Sequence, residues 1–451
     1  MRVTWVQPED VLPHELRQAA AEGHDVTDVA ARWQAAGGPP QPPYGGASQP
    51  PATPEMRALA RELLDELSRH AGVGSADEPN DFAAIRATWP TGPVLPKSTD
   101  RNTLLERLHG GWLGRASGCL LGKPVEKIPR EGIRAILKDT GRYPLDYYFT
   151  AVGLSDDVNA AWPWNRASRP TSLVENIDGM PEDDDLNYTL LALHILETYG
   201  RDFTPDDVAQ TWLLELPGGR VFTAERVAYR NLLDGYDPPE TATRGNPFRE
   251  WIGAQIRTDL YGWANPGDVA AAAEMAWRDA RVSHTRNGLY GAMYVAAMAA
   301  AACVTDDVET VIDAGLSVVP PRSRLAAAIT AARELAHSGL DLEAALDRLH
   351  AMHEGLHWVH VINNAALVTY ALAYGRGDFV TSICAAVVGG WDTDSDGASV
   401  GAITGALCGA DRLPEQWISP LKNRLASSIA SFDGVGFDEL ARRTAALVDG
   451  L

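Results

Sequence analysis

The sequence predicts an all-α fold, and three observations support this. From about Arg101 onward, one segment after another carries small or apolar residues at helical spacing, with capping residues or glycines at its ends. Runs with the two-residue alternation of β-strands are scarce. Alanine and glycine are abundant within the predicted helices, which favours close packing of helices over long bundle seams. We therefore expect a compact multi-helix domain over residues 101–451.

The first hundred residues follow a different pattern, which predicts an N-terminal helical extension. Helical spacing predicts short helices at 13–22 and 26–36 and a further helix at 55–70. Proline and glycine dominate residues 37–54, which indicates a linker or an exposed loop. The residues of this extension do not indicate a function.

The composition argues against several classes of partner. The chain has 60 acidic against 39 basic residues, a formal net charge of −21. Such a chain lacks the basic surface that binds nucleic acid or anionic membranes, so we expect neither partner. The most apolar stretch, 292–304, is too short to span a bilayer, and the N-terminus lacks the pattern of a secretion signal. The four cysteines are too far apart for a disulfide framework or a CxxC zinc site, and we expect a cytoplasmic protein.

Two acidic clusters are the strongest indication of a functional site. The first runs from Glu182 to Asp185 at the start of an apolar helix, and placement at a helix N-terminus explains it equally well. In the second, Asp392, Asp394 and Asp396 alternate before a helix of small residues. These carboxylates are expected to be buried without Lys or Arg nearby in sequence, so they need another partner. A hard divalent cation such as Mg²⁺ or Mn²⁺ prefers oxygen ligands of this kind.

A glycine repeat marks the first predicted helix of the main domain. Glycines recur every four residues from Gly110 to Gly122, and this spacing lets another helix backbone approach closely. Close packing alone would explain the repeat. The loop that follows could bring Glu126 to the same centre as the acidic clusters.

Polar and aromatic residues at helix junctions are further candidates. His284 lies at a predicted interhelical turn, just before Asn287 and Tyr290. A single histidine is more often structural than catalytic. Tyr290 or Trp391 could stack on a base, although an aromatic residue at a helix end belongs more often to the core.

Together and in this order, the segments from about Gly110 to Ala410 resemble the ADP-ribosylglycohydrolase family of all-α dinuclear metal hydrolases. Gly110–Glu126 is similar to the family's glycine-rich opening motif, and Glu182–Asp185 to its threonine-aspartate-aspartate-threonine motif. Asp392–Ser395 is similar to the C-terminal aspartate motif. The resemblance implies an ADP-ribosylglycohydrolase-like fold. It also implies hydrolysis of the N- or O-glycosidic bond at the anomeric carbon of an ADP-ribosyl group.

The resemblance also implies roles for individual residues. It makes Glu126 and Asp184 catalytic candidates. Two Mg²⁺ or Mn²⁺ ions would be held by Glu182, Asp183, Asp184, Asp392, Asp394 and Ser395. The candidates for substrate binding are Gly122, His284, Asn287, Tyr290 and Trp391. The implied substrate is a small ADP-ribosyl compound or riboside, or an ADP-ribosylated protein.

Three departures from the family pattern leave the substrate open. Cys119 stands where the family usually has aspartate, Glu182 and Asp185 replace two threonines, and Trp391 precedes Asp392. The alternatives are a hydrolase of a small N-riboside or nucleotide on the same fold, and a non-catalytic relative that binds ADP-ribose. All-α isoprenoid and terpene synthases also bind Mg²⁺ between aspartate clusters. The alternating second cluster and the glycine-rich motif argue against that class.

Overall fold

A computed structural model describes residues 2–42, 46–96 and 100–448 and confirms the all-α class. Residues 43–45 of the predicted linker, 97–99 of the extension and 449–451 of the main domain lie outside the described residues. Within the described ranges, β-structure is limited to isolated bridges such as Met180 with Leu425.

Four helices lie in the described residues of the extension. They are α1 (Pro8–Ala21), α2 (Thr27–Ala35), α3 (Pro54–Leu67) and α4 (Phe82–Arg86). The α1 helix begins earlier than the spacing of its apolar residues predicts, because Pro8 suits the first turn of a helix. The backbone N–H groups of the first turn have no acceptor within the helix, so the lack of an N–H in proline costs no hydrogen bond there. The sequence analysis missed α4, a five-residue helix too short to show a period.

Nineteen α-helices are described in the rest of the chain. They are α5 (Arg101–Gly122), α6 (Arg130–Asp139), α7 (Asp156–Ala161), α8 (Arg169–Ser172), α9 (Asp184–Tyr199), α10 (Pro205–Glu215), α11 (Thr223–Leu233), α12 (Glu240–Thr243), α13 (Asp259–Trp263), α14 (Val269–Ala280), α15 (Asn287–Ala302), α16 (Val308–Leu316), α17 (Arg324–Ala336), α18 (Leu342–Met352), α19 (Val361–Gly375), α20 (Phe379–Val388), α21 (Thr393–Cys408), α22 (Glu415–Ile418) and α23 (Phe437–Ala446). Short 3₁₀ helices lie at Lys123–Val125, Gly218–Arg220, Ile252–Arg257, Ala410–Arg412, Ser419–Leu421 and Ala430–Phe432. Every residue of α15 is buried, so this helix lies inside the core.

The N-terminal extension packs directly on the rest of the chain. The guanidinium of Arg249 donates to Glu15 at 2.8 Å and to Glu22 at 2.7 Å, and the three side chains are fully buried. The amide of Gln18 donates to Glu250 at 2.5 Å. Because a buried charge is costly without its partner, these contacts tie α1 to the main body.

The glycine repeat of α5 is explained by packing against α21. A β-carbon added to Gly114 would lie 2.1 Å from the carbonyl oxygen of Gly401, and one added to Gly118 would lie 1.9 Å from that of Gly397. The pairing runs in opposite directions along the two helices, so they are antiparallel. Only glycine permits backbones to approach this closely.

This antiparallel pairing brings distant motifs together. At one end of the pair, the hydroxyl of Thr393 donates to the carbonyl of Gly122 at 2.9 Å. The segment after α5 therefore lies beside the start of α21. Glu126 and Asp392 are neighbours for this reason, although they are far apart in sequence.

Candidate metal centre

Three chain segments converge at the candidate site. These are the end of α5 with the 3₁₀ turn that follows it, the start of α9 and the start of α21. Asp183 occupies the N-cap of α9, where its Oδ1 accepts a hydrogen bond from the backbone N–H of Asp185 at 2.9 Å. Asp392 occupies the N-cap of α21. Carboxylates are favoured at both positions because helix N-termini carry partial positive charge.

The convergence places potential ligand atoms in two groups. In one group, Glu126, Asp392 and Asp394 each offer an oxygen, and these atoms lie within 4.8 Å of one another. We call this group the oxygen cluster. In the second, Cys119, Asp183 and Asp185 offer ligand atoms within the same distance, and we call it the mixed cluster.

Crowding of carboxylates disturbs their protonation. Burial and the neighbouring charge of Asp183 and Asp394 raise the pKa of Asp185 well above its ordinary value. Burial and neighbouring carboxylates likewise raise the pKa values of Asp184 and Asp392 well above the ordinary value. A divalent cation would relieve this repulsion, and its preferred ligands are oxygens of this kind. The residues of the oxygen cluster therefore fit a hard cation.

Asp183 differs from its neighbours because a lysine contacts it. The ammonium of Lys123 donates to Asp183 Oδ2 and, at 3.3 Å, to the carbonyl of Glu182. Burial alone would raise the pKa of Asp183. The charge of Lys123, together with hydrogen bonds from Lys123, the N–H of Asp185 and the thiol of Cys119, outweighs burial and lowers it. The sequence analysis assigned no role to Lys123. Its place directly after the last glycine of α5 could have indicated that it enters the same centre.

Glu126 is held by two neighbours. The side-chain amide of Asn165 donates to its Oε2 at 2.6 Å, and Lys127 lies 3.0 Å from its Oε1. No motif pointed to Asn165, which lies in a loop between α7 and α8. These contacts fix the carboxylate of Glu126 at the edge of the oxygen cluster.

Glu182 lies outside both clusters, and protein groups engage both of its oxygens. Its Oε1 accepts hydrogen bonds from Asn187 at 2.8 Å and Ser428 at 2.6 Å, and its Oε2 pairs with Arg220 at 3.0 Å. Ser395 has a different position, with its hydroxyl 3.4 Å from Asp185 Oδ2, between the two clusters.

A cavity of about 320 Å³ opens onto the oxygen cluster. The predicted residues Glu126, Asp184 and Ser395 line it, and so do Asp392 and Asp394. Part of its wall is aromatic, from Trp5, Tyr188, Phe222 and Trp358. Trp5 belongs to the N-terminal extension, so residues before 100 contribute to the cavity.

The structure places three predicted substrate residues away from this cavity. His284 is buried, with Nδ1 2.8 Å from the hydroxyl of Ser283. The amide of Asn287 donates to Glu250 at 2.7 Å, and the hydroxyl of Tyr290 donates to the carbonyl of Pro79. Pro79 belongs to the extension, and the sequence pattern gave no sign of this contact with Tyr290.

Two further predicted substrate residues have structural contacts outside the cavity lining. A β-carbon added to Gly122 would lie 2.1 Å from the carbonyl of Thr393, so this glycine permits helix packing. The ring of Trp391 stacks on His350 with centroids 4.1 Å apart. Its φ of +59° is a backbone conformation that favours glycine, and it turns the chain into Asp392.

Comparison with known proteins agrees with this geometry. The sequence profile described as ADP-ribosylglycohydrolase matches residues 100–449. The chain belongs to the ADP-ribosylglycohydrolase family. An uncharacterized protein of Archaeoglobus fulgidus is 30% identical over 324 residues, which cover 71% of this chain and 92% of that protein. A solved structure of an ADP-ribosylglycohydrolase-related protein complex is 20% identical, covers 77% of this chain and 98% of that chain, and has a TM-score of 0.43.

Membership of the ADP-ribosylglycohydrolase family supports a hydrolase of that type, and the family acts on ADP-ribosylated substrates. The family match begins at residue 100, so it leaves the N-terminal extension outside. In the part of the chain that the structure describes, no helix has the length and apolar character needed to cross a membrane.

Proposed function

We propose that this ADP-ribosylglycohydrolase relative cleaves the N- or O-glycosidic bond at the anomeric carbon of an ADP-ribosyl group, with Mg²⁺ or Mn²⁺ as cofactor. The observation that carries the proposal is the oxygen cluster of Glu126, Asp392 and Asp394 at the cavity wall. Three carboxylates from two distant segments would repel one another without a cation.

The cation, when bound, supplies a positive charge that favours ionisation of water and polarises ribose oxygens. Asp392 and Asp394 would hold it, because they start α21 and face the cavity. Asp184 and Ser395 line the same wall and complete the set of oxygen donors there.

Glu126 is the proposed catalytic residue. It belongs to the oxygen cluster and lines the cavity, and Asn165 and Lys127 fix its carboxylate. In this position it accepts the proton of the water that attacks the anomeric carbon. The bond from the anomeric carbon to the leaving nitrogen or oxygen breaks with its electron pair, and Glu126 passes the proton taken from the water to the leaving atom.

The aromatic part of the wall suits the base of an ADP-ribosyl group. Phe222, Trp358 and Trp5 line the cavity and offer ring surfaces to it. A purine base can stack on such rings, and stacking does not require hydrogen bonds to the edges of the base.

A variant of the oxygen cluster tests the proposal. Asp392→Asn combined with Asp394→Asn removes charge without a large change in volume, so we expect loss of Mn²⁺ binding in calorimetry and loss of hydrolysis. The matched control is Asp157→Asn, an exposed aspartate in the first turn of α7. Substrates should include ADP-ribosyl-arginine, ADP-ribosyl-serine and small N-ribosides.

The outcomes separate the candidate functions. Full activity in the double variant would refute a metal-dependent hydrolase. Cleavage of small N-ribosides alone would indicate the riboside hydrolase, and binding of ADP-ribose without turnover would indicate a non-catalytic relative.

A further inference from the structure

Lys123 brings a positive charge into the centre itself. Its side chain is 7% exposed, and its ammonium contacts the carboxylate of Asp183 and the carbonyl of Glu182. A lysine ammonium is a compact charge with three donors and no acceptor. It therefore makes contacts with oxygen atoms like those of a bound cation.

The mixed cluster already contains cationic partners. Asp183 uses Oδ2 for Lys123 and Oδ1 for the N–H of Asp185. Asp185 Oδ1 lies 3.7 Å from the guanidinium of Arg115, which also donates to the Asp185 carbonyl at 2.9 Å. Lys123 therefore compensates the charge of Asp183, and the guanidinium of Arg115 places a second positive charge near Asp185.

The ligand chemistry of the mixed cluster also disfavours a hard cation. Its third member is the thiol of Cys119, 3.8 Å from Asp185 Oδ2. Mg²⁺ and Mn²⁺ prefer carboxylate, carbonyl and water oxygens, and a thiol must lose its proton before it can ligate. The oxygen cluster, by contrast, contains carboxylates only.

From these contacts we infer that the centre binds one divalent cation, at the oxygen cluster, and that the Lys123 ammonium takes the place of a second. The inference rests on the proposed function for the presence of a cation, and it revises the two ions that the family resemblance implies. A second divalent ion at Asp183 would lie beside the ammonium, and like charges at this distance repel strongly. In this arrangement Lys123 also supplies a fixed positive charge at the cavity wall, where it can donate to an oxygen of the substrate.

Counting bound ions tests the inference directly. We expect one Mn²⁺ per chain in calorimetry and native mass spectrometry, with the uncoupled six-line electron paramagnetic resonance spectrum of isolated Mn²⁺. Lys123→Met removes the charge but keeps the apolar stem, so we expect two Mn²⁺ per chain and a spectrum with spin coupling. Lys123→Arg keeps the charge and should keep the count at one.

The matched control is Lys138→Met. It removes an exposed lysine in the last turn of α6, outside the cavity lining, so we expect the count to stay at one. Circular dichroism and thermal unfolding establish that each variant is folded.

The inference is overturned if the wild-type chain binds two Mn²⁺ ions or none, or if folded Lys123→Met still binds only one. If Lys123→Met fails to fold, the wild-type count and spectrum decide by themselves. Hydrolysis is measured on the same samples. One bound ion without turnover would support this inference and refute the proposed function. Two bound ions with turnover would refute this inference and support the proposed function.

Discussion

The side-chain amide of Asn165 donates a 2.6 Å hydrogen bond to Glu126 Oε2. The two residues lie 39 positions apart and meet at the rim of the oxygen cluster. Asn165 thus acts as a positioning residue for the carboxylate that we propose as the proton acceptor.

We expect Glu126→Gln to lower kcat by at least about 100-fold, because an amide cannot accept the proton of water. Asn165→Ala should lower kcat by about 10- to 100-fold with little change in KM, since it misplaces the carboxylate without removing it. Steady-state kinetics would measure both effects. Asn102→Ala, at the exposed start of α5, is the control. An unchanged kcat in Glu126→Gln would remove this residue from the mechanism.

Helix packing supplies a prediction about stability. A β-carbon at Gly118 would lie 1.9 Å from the carbonyl oxygen of Gly397, so Gly118→Ala forces α5 and α21 apart. We expect a loss of about 3 kcal/mol in the free energy of unfolding, at the upper end for overpacking. Urea denaturation would measure it. Gly219→Ala is the control, because a β-carbon there meets no atom within 4 Å. Equal stability of the two variants would contradict the packing argument.

The buried carboxylate of Glu250 makes stability depend on pH. Burial alone would raise the pKa of Glu250, but the charges of Arg324, His360 and Arg286 and a hydrogen bond from Asn287 together outweigh burial and lower the pKa to about 2. A carboxyl with a lowered pKa stabilises the fold above its unfolded pKa near 4.5, and this contribution is lost as pH falls towards 2. The shift corresponds to about 3 kcal/mol.

We therefore expect Glu250→Gln to lose less stability than the wild type between pH 5 and pH 3. Urea denaturation at several pH values would show this as a smaller slope. Glu354→Gln, at an exposed position, should follow the wild-type slope. Parallel slopes for wild type and Glu250→Gln would show that this carboxylate does not contribute.

Because Trp5 lines the cavity, we expect the extension to take part in substrate binding. Trp5 lines the cavity next to Trp251 and Phe248, with ring centroids 5.8 Å and 5.6 Å away. We expect Trp5→Ala to raise KM by about 10-fold, since loss of one stacking surface costs about 1–3 kcal/mol. Trp5→Phe keeps a ring and should restore most of the affinity. A KM that Trp5→Ala leaves unchanged would place the substrate elsewhere in the cavity.

Short sequence motifs predicted those parts of the site whose residues are close together in the chain. The acidic runs at 182–185 and 392–396 and the glycine spacing of α5 are short-range features, and the structure brings them together. Asn165 and Trp5 escaped prediction because only the packed chain places them at the cavity. Lys123 escaped because a lysine after a helix usually faces solvent.

The sequence also suggested substrate-binding residues that the structure places outside the cavity lining, namely His284, Asn287 and Tyr290. Their polar sequence context suggested an open turn, and they were candidates for substrate binding. In the structure all three are buried, and the hydroxyl of Tyr290 donates to the carbonyl of Pro79 in the extension. Contacts between the extension and α15 join distant parts of the chain and left no periodic signal in either segment.

The contact between Gly122 and Thr393 joins residues that are 271 positions apart. During synthesis, Lys123, Glu126 and Asp183 leave the ribosome long before Asp392 and Asp394 exist. Until α21 is made, the glycine face of α5 cannot pack against it. Bringing the two helices together then closes a long loop of chain, which has an entropic cost. The centre thus forms only after α21 has been made, and cation binding would report that α21 has packed on α5.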